Sequence, residues 1–496
     1  MADARTLEGL LAGCPGARIR RGGAVRIHGV AYNSRDVREG FCFVCIQGFK
    51  DDGHRYIGDA LGRGAAAVVV ERAVPVPDAL ALAEVPDGRQ ALAHISSRFY
   101  RSPSERLILI GITGTEGKTT TAYLVEAVLR EAGIRVAMSG TIVSRIGDKE
   151  TPSHFTTPES LDLQRFLADC VAEGATHVVM EVSSHALALK RVTFCAFNVG
   201  VFTNLTSDHL DLHGRAERYL AAKASLFSGL GASPAHHAIV NADDPAAEQI
   251  LAVTACPATS FAIHGPADLR ARDLTAALRR LTFTIEGPGG AFPTTLHLTG
   301  WYNAYNALAA AGVGLALGID PPTIRRGLEQ LAGIPGRFEL VEAGQPFLVV
   351  IDFAHTTAAL EKLLRTTRTL VGGRLLTVFG CPGDRDRTKR AAMGEVAARL
   401  SAYTVLTTDN PADEEPAEIA RSIQEGVRRV DPSGNYHAVI LDRAEAIAAA
   451  CARARPGDAV LIAGKGHEPY QILARRRVPW SDREAALAAL HTRSRG

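Results

Sequence analysis

No apolar run in this sequence can cross a bilayer. The longest, Ala307 to Ile319, falls well short of the ~20 residues a membrane helix needs. No charge of one sign dominates: Lys plus Arg number 55 against 53 Asp plus Glu, a net charge of +2. That balance gives no global footprint for nucleic acid or anionic membrane and leaves only a local basic patch open. The N-terminus, MADARTLEGLLAGC, carries acids and lacks a sustained apolar segment, so no secretory signal is expected. There is no internal repeat and no low-complexity tract. The 8 cysteines are scattered, and only Cys42 and Cys45 form a C-x-x-C, with no second pair to complete a zinc site. They sit in the apolar run FCFVCI, where a strand points them to opposite faces as buried, reduced thiols. What remains is a soluble protein expected in the cytoplasm, without membrane insertion or a nucleic-acid partner.

The chain has 496 residues, 46% hydrophobic and 22% charged, which supplies about two to four domains, with three the central expectation. Runs rich in Val, Ile and Leu alternate with helical patterns: AAAVVVE, RLILIGIT, THVVMEV, FNVGVF, FLVVIDF, RLLTVFG, AYTVLTT and DAVLIAG. Continuous apolar strands between helices argue for an α/β fold of mainly parallel sheets covered on both faces. Two segments read as boundaries, RFYRSPSER (98–106) and LAGIPGRFEL (331–340). In the second, Gly333, Pro335 and Gly336 interrupt a helical pattern. The expected domains are 1–100, 101–335 and 336–496.

Residues 107–121 read LILIGITGTEGKTTT, a strand, a glycine turn and then a helical pattern. Such a turn cradles anionic oxygens with backbone N–H groups and a helix N-terminus. Lys118 would reach the terminal phosphates and the Thr119 hydroxyl would ligate Mg²⁺. The strict pattern wants Gly where Ile112 stands; the shorter Gly114-x-x-Gly117-Lys118-Thr119 is present. A nucleoside triphosphate is the expected ligand. HVVMEVSSHAL brings Glu181 to the end of an apolar strand, and NVGVFTNLTSDHLDLHG brings Asp208, His209, Asp211 and His213 just past another. Ligands of open α/β sheets collect there, and one carboxylate with a threonine hydroxyl and phosphate oxygens suits Mg²⁺. Taken singly, each of these acids and histidines is more often a helix cap or surface group; together with the loop, the balance turns to the phosphate site.

The series GTEGKTTT, TTPES, MEVSSHAL, TNLTSDHLDLHG, AAKASLF, GWYNAYNALAA, PGRFE, IDFAHT, GDRDRTKR, DNPA and GKGHEPYQ resembles the Mur ligases. Within them it is similar to the MurE type, which adds the third residue of the peptidoglycan stem peptide. NSRDVREGFCFVCIQGFKDDGHRYIGDALGRGAAAVVVE extends the resemblance to a UDP-binding domain. The resemblance implies that domain, a central ATPase domain and a C-terminal Rossmann-like domain. It implies ATP-dependent amide formation: a carboxylate attacks the γ-phosphate, and an amine displaces phosphate from the acyl phosphate. The implied substrates are UDP-N-acetylmuramoyl-L-alanyl-D-glutamate and a diamino acid, and a monomer is expected.

By that resemblance, Gly114, Thr115, Glu116, Gly117, Lys118, Thr119 and Thr120 bind ATP. Thr119 and Glu181 hold one Mg²⁺, and His209 a second. Lys223, in YLAAKASLF, matches a lysine that the family carbamylates with CO₂, turning a cation into an anion near the metal-phosphate site; without the motifs it reads as a snorkelling helix lysine. Asn303 and Asn306 match residues near adenine, and Arg337 and Asp352 match nucleotide contacts. Ser34 and Phe49, Lys50 and Asp51 match the uridine diphosphate site. Thr156, Thr157, Ser183 and Arg191 match contacts to the muramoyl-dipeptide. Arg385, Asp409, Asn410, Pro411, Ala412, Gly464 and Glu468 match the amino-acid site.

The sequence also departs from the family. The diaminopimelate branch carries Arg after DNP, where Ala412 stands, followed by Asp413, Glu414 and Glu415. Those acids suit the side-chain ammonium of lysine or ornithine, or simply form a charged first turn before EIARSIQEGV. GDRDRTKR and GKGHE instead resemble the diaminopimelate branch. The balance leans to lysine or ornithine. Phe155, Leu189 and Thr357 stand where the family has Asn, Gln and Pro. Rival readings are an amide ligase with another acceptor or amine, a P-loop regulator that makes no product, and a degenerate non-catalytic binder. The uridine-type domain argues against a folate enzyme, and Lys118, Glu181, His209 and Lys223 together argue against the other two.

Overall fold

The computed structural model describes residues 5–48, 51–153, 155–206, 210–384, 386–474 and 476–494. Three large sheets follow one another along the chain. The apolar runs form the strands Ala65–Val70, Ile108–Thr113, His177–Glu181, Phe197–Phe202, Leu348–Asp352, Leu375–Phe379, Tyr403–Leu406 and Ala459–Ala463.

The first sheet has five strands, parallel except where Arg18–Arg21 pairs with Ala81–Glu84. Cys42 packs with Val44 and Leu92 on one face, and Cys45 with Phe43 and Val68 on the other. Burial pushes both thiols up to about 12, so they are inert packing groups.

The eleven-stranded second sheet has a parallel middle, in which Ile108–Thr113 lies between His177–Glu181 and Phe197–Phe202. Ile110 and Ile112 face helices Lys118–Glu131, Asn303–Ala316 and Pro321–Gln330, while Leu109 faces helices Ser160–Ala172 and Ala216–Ser228. Each fully buried Leu or Ile on these faces contributes roughly 1.5–3 kcal/mol. The run from Ala307 is one of these core helices, buried by protein. Both edges of this sheet are antiparallel: Val143–Ile146 with Lys149–Pro152, and Arg280–Gly287 with Gly290–Leu296.

In the third sheet, strands Leu348–Asp352, Ala459–Ala463, Leu375–Phe379, Tyr403–Leu406 and His437–Val439 run parallel, flanked by the antiparallel Glu339–Leu340. Segment 98–106, with the end of helix Gly88–Phe99 and the 3-10 turn Pro103–Arg106, lies between the first and second sheets, and 331–340 runs from the second sheet's layer into strand Glu339–Leu340 of the third. Arg101 and Ser102 are left-handed in the first segment (φ 62° and 47°), as is Phe338 in the second (φ 47°). Among the described residues no helix is long and apolar enough to cross a membrane.

Candidate functional site

Strand Ile108–Thr113 delivers the chain into the loop Gly114–Gly117, and helix Lys118–Glu131 starts at once. Two glycines are required. Gly114 (φ 151°) has Thr203 Oγ1 only 1.8 Å from where a Cβ would sit, and Gly117 (φ 83°) has Asn306 Oδ1 at 2.5 Å. Lys118 curls over the loop, its Nζ donating to the carbonyls of Gly114 and Thr115 at 2.8 Å each. Lys223, 1% exposed, donates to the same Gly114 carbonyl at 2.8 Å and lies 4.4 Å from the Tyr219 ring centroid.

Parallel pairing sets Glu181 opposite Ile112, so its carboxylate arrives beside the loop at the carboxyl ends of the strands. Glu181 is 1% exposed. It accepts from Thr119 Oγ1 at 2.9 Å, from the Thr141 N–H at 2.7 Å and from Thr141 Oγ1 at 3.0 Å. No ion pair joins it to a cationic side chain among the described residues. A buried carboxylate in that state is costly, so Thr119 and Glu181 fit a hard cation that arrives with phosphate oxygens. Among the described residues no group of three or more His, Cys, Asp or Glu forms a ready metal cage. His209 lies outside the described residues.

A cleft of about 530 Å³ runs from this loop to the third sheet. Thr115 to Thr120, Thr156, Glu181, Ser183, Asn303, Asn306, Arg337 and Asp352 all line it. Asn303 and Asn306 hydrogen-bond each other at 2.9 Å and tie inward to the Thr299 carbonyl and the Thr121 hydroxyl. Arg337 donates to Thr119 Oγ1 at 3.0 Å with its guanidinium 5.0 Å from the Phe353 ring centroid, and its Nε is buried without a partner. Asp352 accepts from the N–H groups of Phe338 and Ala354, and burial raises its pKa. It thus pins the joining segment to the third sheet. Lys362 pairs with Glu116 at 3.0 Å, a second link from that sheet to the loop.

Beside Glu181, Thr157 donates to the Glu181 carbonyl at 2.8 Å, and Ser183 caps helix Ser184–Ala188. Arg191 faces Glu159 at 3.3 Å and donates to the Thr157 carbonyl at 3.1 Å. Phe155, 58% exposed, lies against the Arg191 guanidinium, 5.2 Å from ring centroid to carbon. Leu189 is the C-cap of Ser184–Ala188, and Thr357 opens helix Thr357–Arg368 in the first-turn position that proline also suits.

Two expected groups stand apart from the cleft. Ser34 donates to Asp59 at 2.9 Å in the first sheet's layer, and Asp51 accepts from the Tyr56 hydroxyl at 3.3 Å. Phe49 and Lys50 lie outside the described residues. The amino-acid set clusters at the carboxyl ends of the third sheet. Lys465, 0% exposed, donates to Asn410 Oδ1 at 2.9 Å and Glu468 Oε2 at 2.7 Å, and Asn410 Nδ2 donates to the same Glu468 oxygen at 2.9 Å. Gly464 (φ 108°) packs on Asp409, whose carboxyl burial pushes up in pKa, and Pro411 packs its carbonyl against Gly383. Ala412 is left-handed (φ 54°) and pairs with Leu473. Arg385 lies outside the described residues.

Of the acids after Ala412, Glu414 does not behave as a waiting counter-charge. Glu414 receives Arg390 at 2.9 and 3.0 Å and Arg387 at 3.0 Å, which hold its carboxyl down to about 2. Sequence reasoning passed over Thr141, Lys362 and Lys465. Lys465 sits inside GKGHE, so the motif was visible; Thr141 had no signal beyond following a strand.

Comparison with known proteins gives three family matches in order along the chain. Residues 26–100 match the Mur ligase family catalytic domain, 112–314 the Mur ligase middle domain, and 336–466 the Mur ligase glutamate ligase domain. A UDP-N-acetylmuramoyl-L-alanyl-D-glutamate–2,6-diaminopimelate ligase of Syntrophomonas wolfei is 44% identical, over 94% of this chain and 94% of its own. Its namesake in Solibacter usitatus is 45% identical, over 94% and 93%. A solved structure of a protein of the same name superposes with a TM-score of 0.68 at 31% identity, covering 100% of both chains.

Proposed function

Because this chain belongs to the Mur ligase family of ATP-dependent amide ligases, and to its MurE type, we propose that it adds the third residue of the peptidoglycan stem peptide. The acceptor is UDP-N-acetylmuramoyl-L-alanyl-D-glutamate, activated as an acyl phosphate. One observation carries this reading: a single cleft holds the phosphate loop, Glu181, with no cationic side chain paired to it among the described residues, and, beside them, Thr156 and Ser183. The acceptor carboxylate would lie against the γ-phosphate there and Lys118 would neutralise the charge; Thr119 and Glu181 would hold Mg²⁺, which when bound would supply Lewis-acid withdrawal of charge from the phosphoryl oxygens. Catalysis of this kind is mostly positioning and charge neutralisation. A cytoplasmic location belongs to the proposal, since its substrates are nucleotides.

The amine is 2,6-diaminopimelate. Relatives at 44% and 45% identity carry that amino acid in their names. The leaning to lysine or ornithine rested on Ala412 and the acids beside it, and Glu414 is already neutralised by Arg387 and Arg390. Phosphate release and product mass, with diaminopimelate, lysine and ornithine supplied separately, test this. Diaminopimelate alone should stimulate both; stimulation by lysine or ornithine instead would restore the earlier leaning. Stimulation by none of them would point to a different acceptor or amine. Carbamylation of Lys223 is part of the same proposal. A carbamate signal in the ¹³C spectrum after labelled bicarbonate is expected, and its loss in Lys223→Arg checks the assignment.

A further inference from the structure

Helix Ser184–Ala188 ends in a turn of the kind that glycine usually fills. The Arg191 N–H donates to the Ala186 carbonyl at 2.8 Å and the Lys190 N–H to the Leu187 carbonyl at 3.2 Å, which puts Lys190 in the left-handed conformation (φ 57°). A side chain there costs stability that glycine would not lose. Lys190 uses its length to reach the first sheet's layer: Nζ donates to Asp87 Oδ2 at 2.6 Å and to Gln90 Oε1 at 3.1 Å. Asp87 is the N-cap of helix Gly88–Phe99. Farther along the same segment Phe194 is left-handed as well (φ 64°), and its ring meets His94 edge to face with centroids 5.0 Å apart. Gln90 and His94 lie one turn apart, so segment 190–194 braces one face of that helix at two points.

Arg191 lies between two neighbours that the start of this helix grips. On one side is Lys190; on the other is Glu159, 3.3 Å from Arg191 Nε, which accepts from Arg89 Nη1 at 3.1 Å. Arg89 also donates to the Gln47 carbonyl at 3.4 Å, just before the 49–51 stretch that matches the uridine diphosphate site. The acceptor has to span from its uridine to the carboxylate that is activated, so the spacing of these two layers sets where its peptide end falls. We propose that Lys190 is a positioning residue for the acceptor: its ion pair with Asp87 holds the turn that carries Arg191 at a fixed place relative to the layer read as uridine-binding. This role rests on the reading of Arg191 as an acceptor contact. It also accounts for a left-handed lysine, because the strain is offset by a tie that glycine cannot make.

The test is steady-state kinetics at about 0.1 M and about 1 M KCl, between which the screening length falls from about 10 to about 3 Å. Lys190→Gly suits the left-handed turn, so its melting temperature should hold or rise. Its acceptor KM should nevertheless increase about fivefold, the full worth of a half-exposed ion pair, while the KM for ATP stays put. At the higher salt the gap from the wild type should shrink. Lys190→Arg, which keeps the cation, should stay near the wild type throughout. Asp87→Asn keeps a good N-cap; it should raise the acceptor KM alike and add nothing to Lys190→Gly. Arg191→Ala should raise the acceptor KM about tenfold or more, the loss of a charge-assisted contact; if it does not, the reading of Arg191 fails and the role of Lys190 with it. If it does and Lys190→Gly keeps the wild-type acceptor KM, the role given to Lys190 alone fails. A KM increase that persists at high salt, with a lowered melting temperature, assigns Lys190 to packing and overturns the proposal too.

Discussion

The carboxylates at the two ends of this machinery are treated in opposite ways. Glu181 is buried and held by two threonines, with no cationic side chain paired to it among the described residues. Glu468 and Glu414 each carry their cation already, Lys465 for one and Arg390 with Arg387 for the other. A buried charge left without a counter-ion is tolerated where the counter-ion comes with the substrate; one already paired serves to fix a loop. On the proposed function, the difference separates a carboxylate placed to receive a metal from carboxylates already held by the protein's own cations.

The largest expected effect comes from erasing the charge that waits. Glu181→Gln keeps the size and one acceptor oxygen, the other becoming an N–H donor, and should lower kcat by about 100-fold or more, since several kcal/mol of metal-borne stabilisation goes with it. Its melting temperature should hardly move, because a neutral amide is easier to bury than an unpaired carboxylate. A large fall in stability with modest loss of rate would place Glu181 among the shape-holding acids.

Lys465→Met should do the reverse. It strands Glu468 and Asn410 and should destabilise the layer around the third sheet by about 3 kcal/mol, the cost of breaking a buried pair from one side. The KM for the amine should rise while nucleotide affinity is kept. Thermal melting together with separate titrations of the two ligands reads both.

Acid gives a smaller, graded effect. Arg390, Arg387 and the Asp384 N–H hold Glu414 down to about 2. A depressed carboxylate stabilises the fold fully above its unfolded value near 4.5, and that contribution fades as pH falls through about 2. Below neutral pH, Arg390→Met should therefore lie closest to the wild type at the acid end and farthest from it near pH 6 to 7. Melting temperatures across that range check the sign.

The smallest change is expected at Phe155. Its contact with Arg191 is exposed, worth about 0.5–1 kcal/mol. Phe155→Asn should shift the acceptor KM by only a few-fold and leave the KM for ATP alone. An unchanged KM for the acceptor would remove Phe155 from that subsite.

How much of this was legible in the sequence depends on where each signal comes from. The eight quoted apolar runs became strands because a strand buried on both faces needs apolar residues at every position. The phosphate loop was legible because Gly114 and Gly117 occupy backbone shapes and close approaches that other residues cannot. The antiparallel edges went unmentioned: Arg280–Gly287 alternates buried and exposed positions, a weaker pattern than a solid apolar run. What holds Glu414 was not legible beside Ala412, since its partners Arg387 and Arg390 stand about two dozen residues earlier. Arg337 reaches Thr119 through the docking of one sheet on another, which no local pattern encodes.

The most direct test of the ligase account follows an oxygen atom. With ¹⁸O in the D-glutamyl carboxylate of the acceptor, the attack on ATP joins a carboxylate oxygen to the γ-phosphorus. When the amine then takes the carbonyl carbon, that oxygen leaves with phosphate. One ¹⁸O in each phosphate released, formed only when acceptor and amine are both present, is the predicted result. Unlabelled phosphate, released whether or not they are present, would mean that the cleft hydrolyses ATP without activating the acceptor, and would contradict the account.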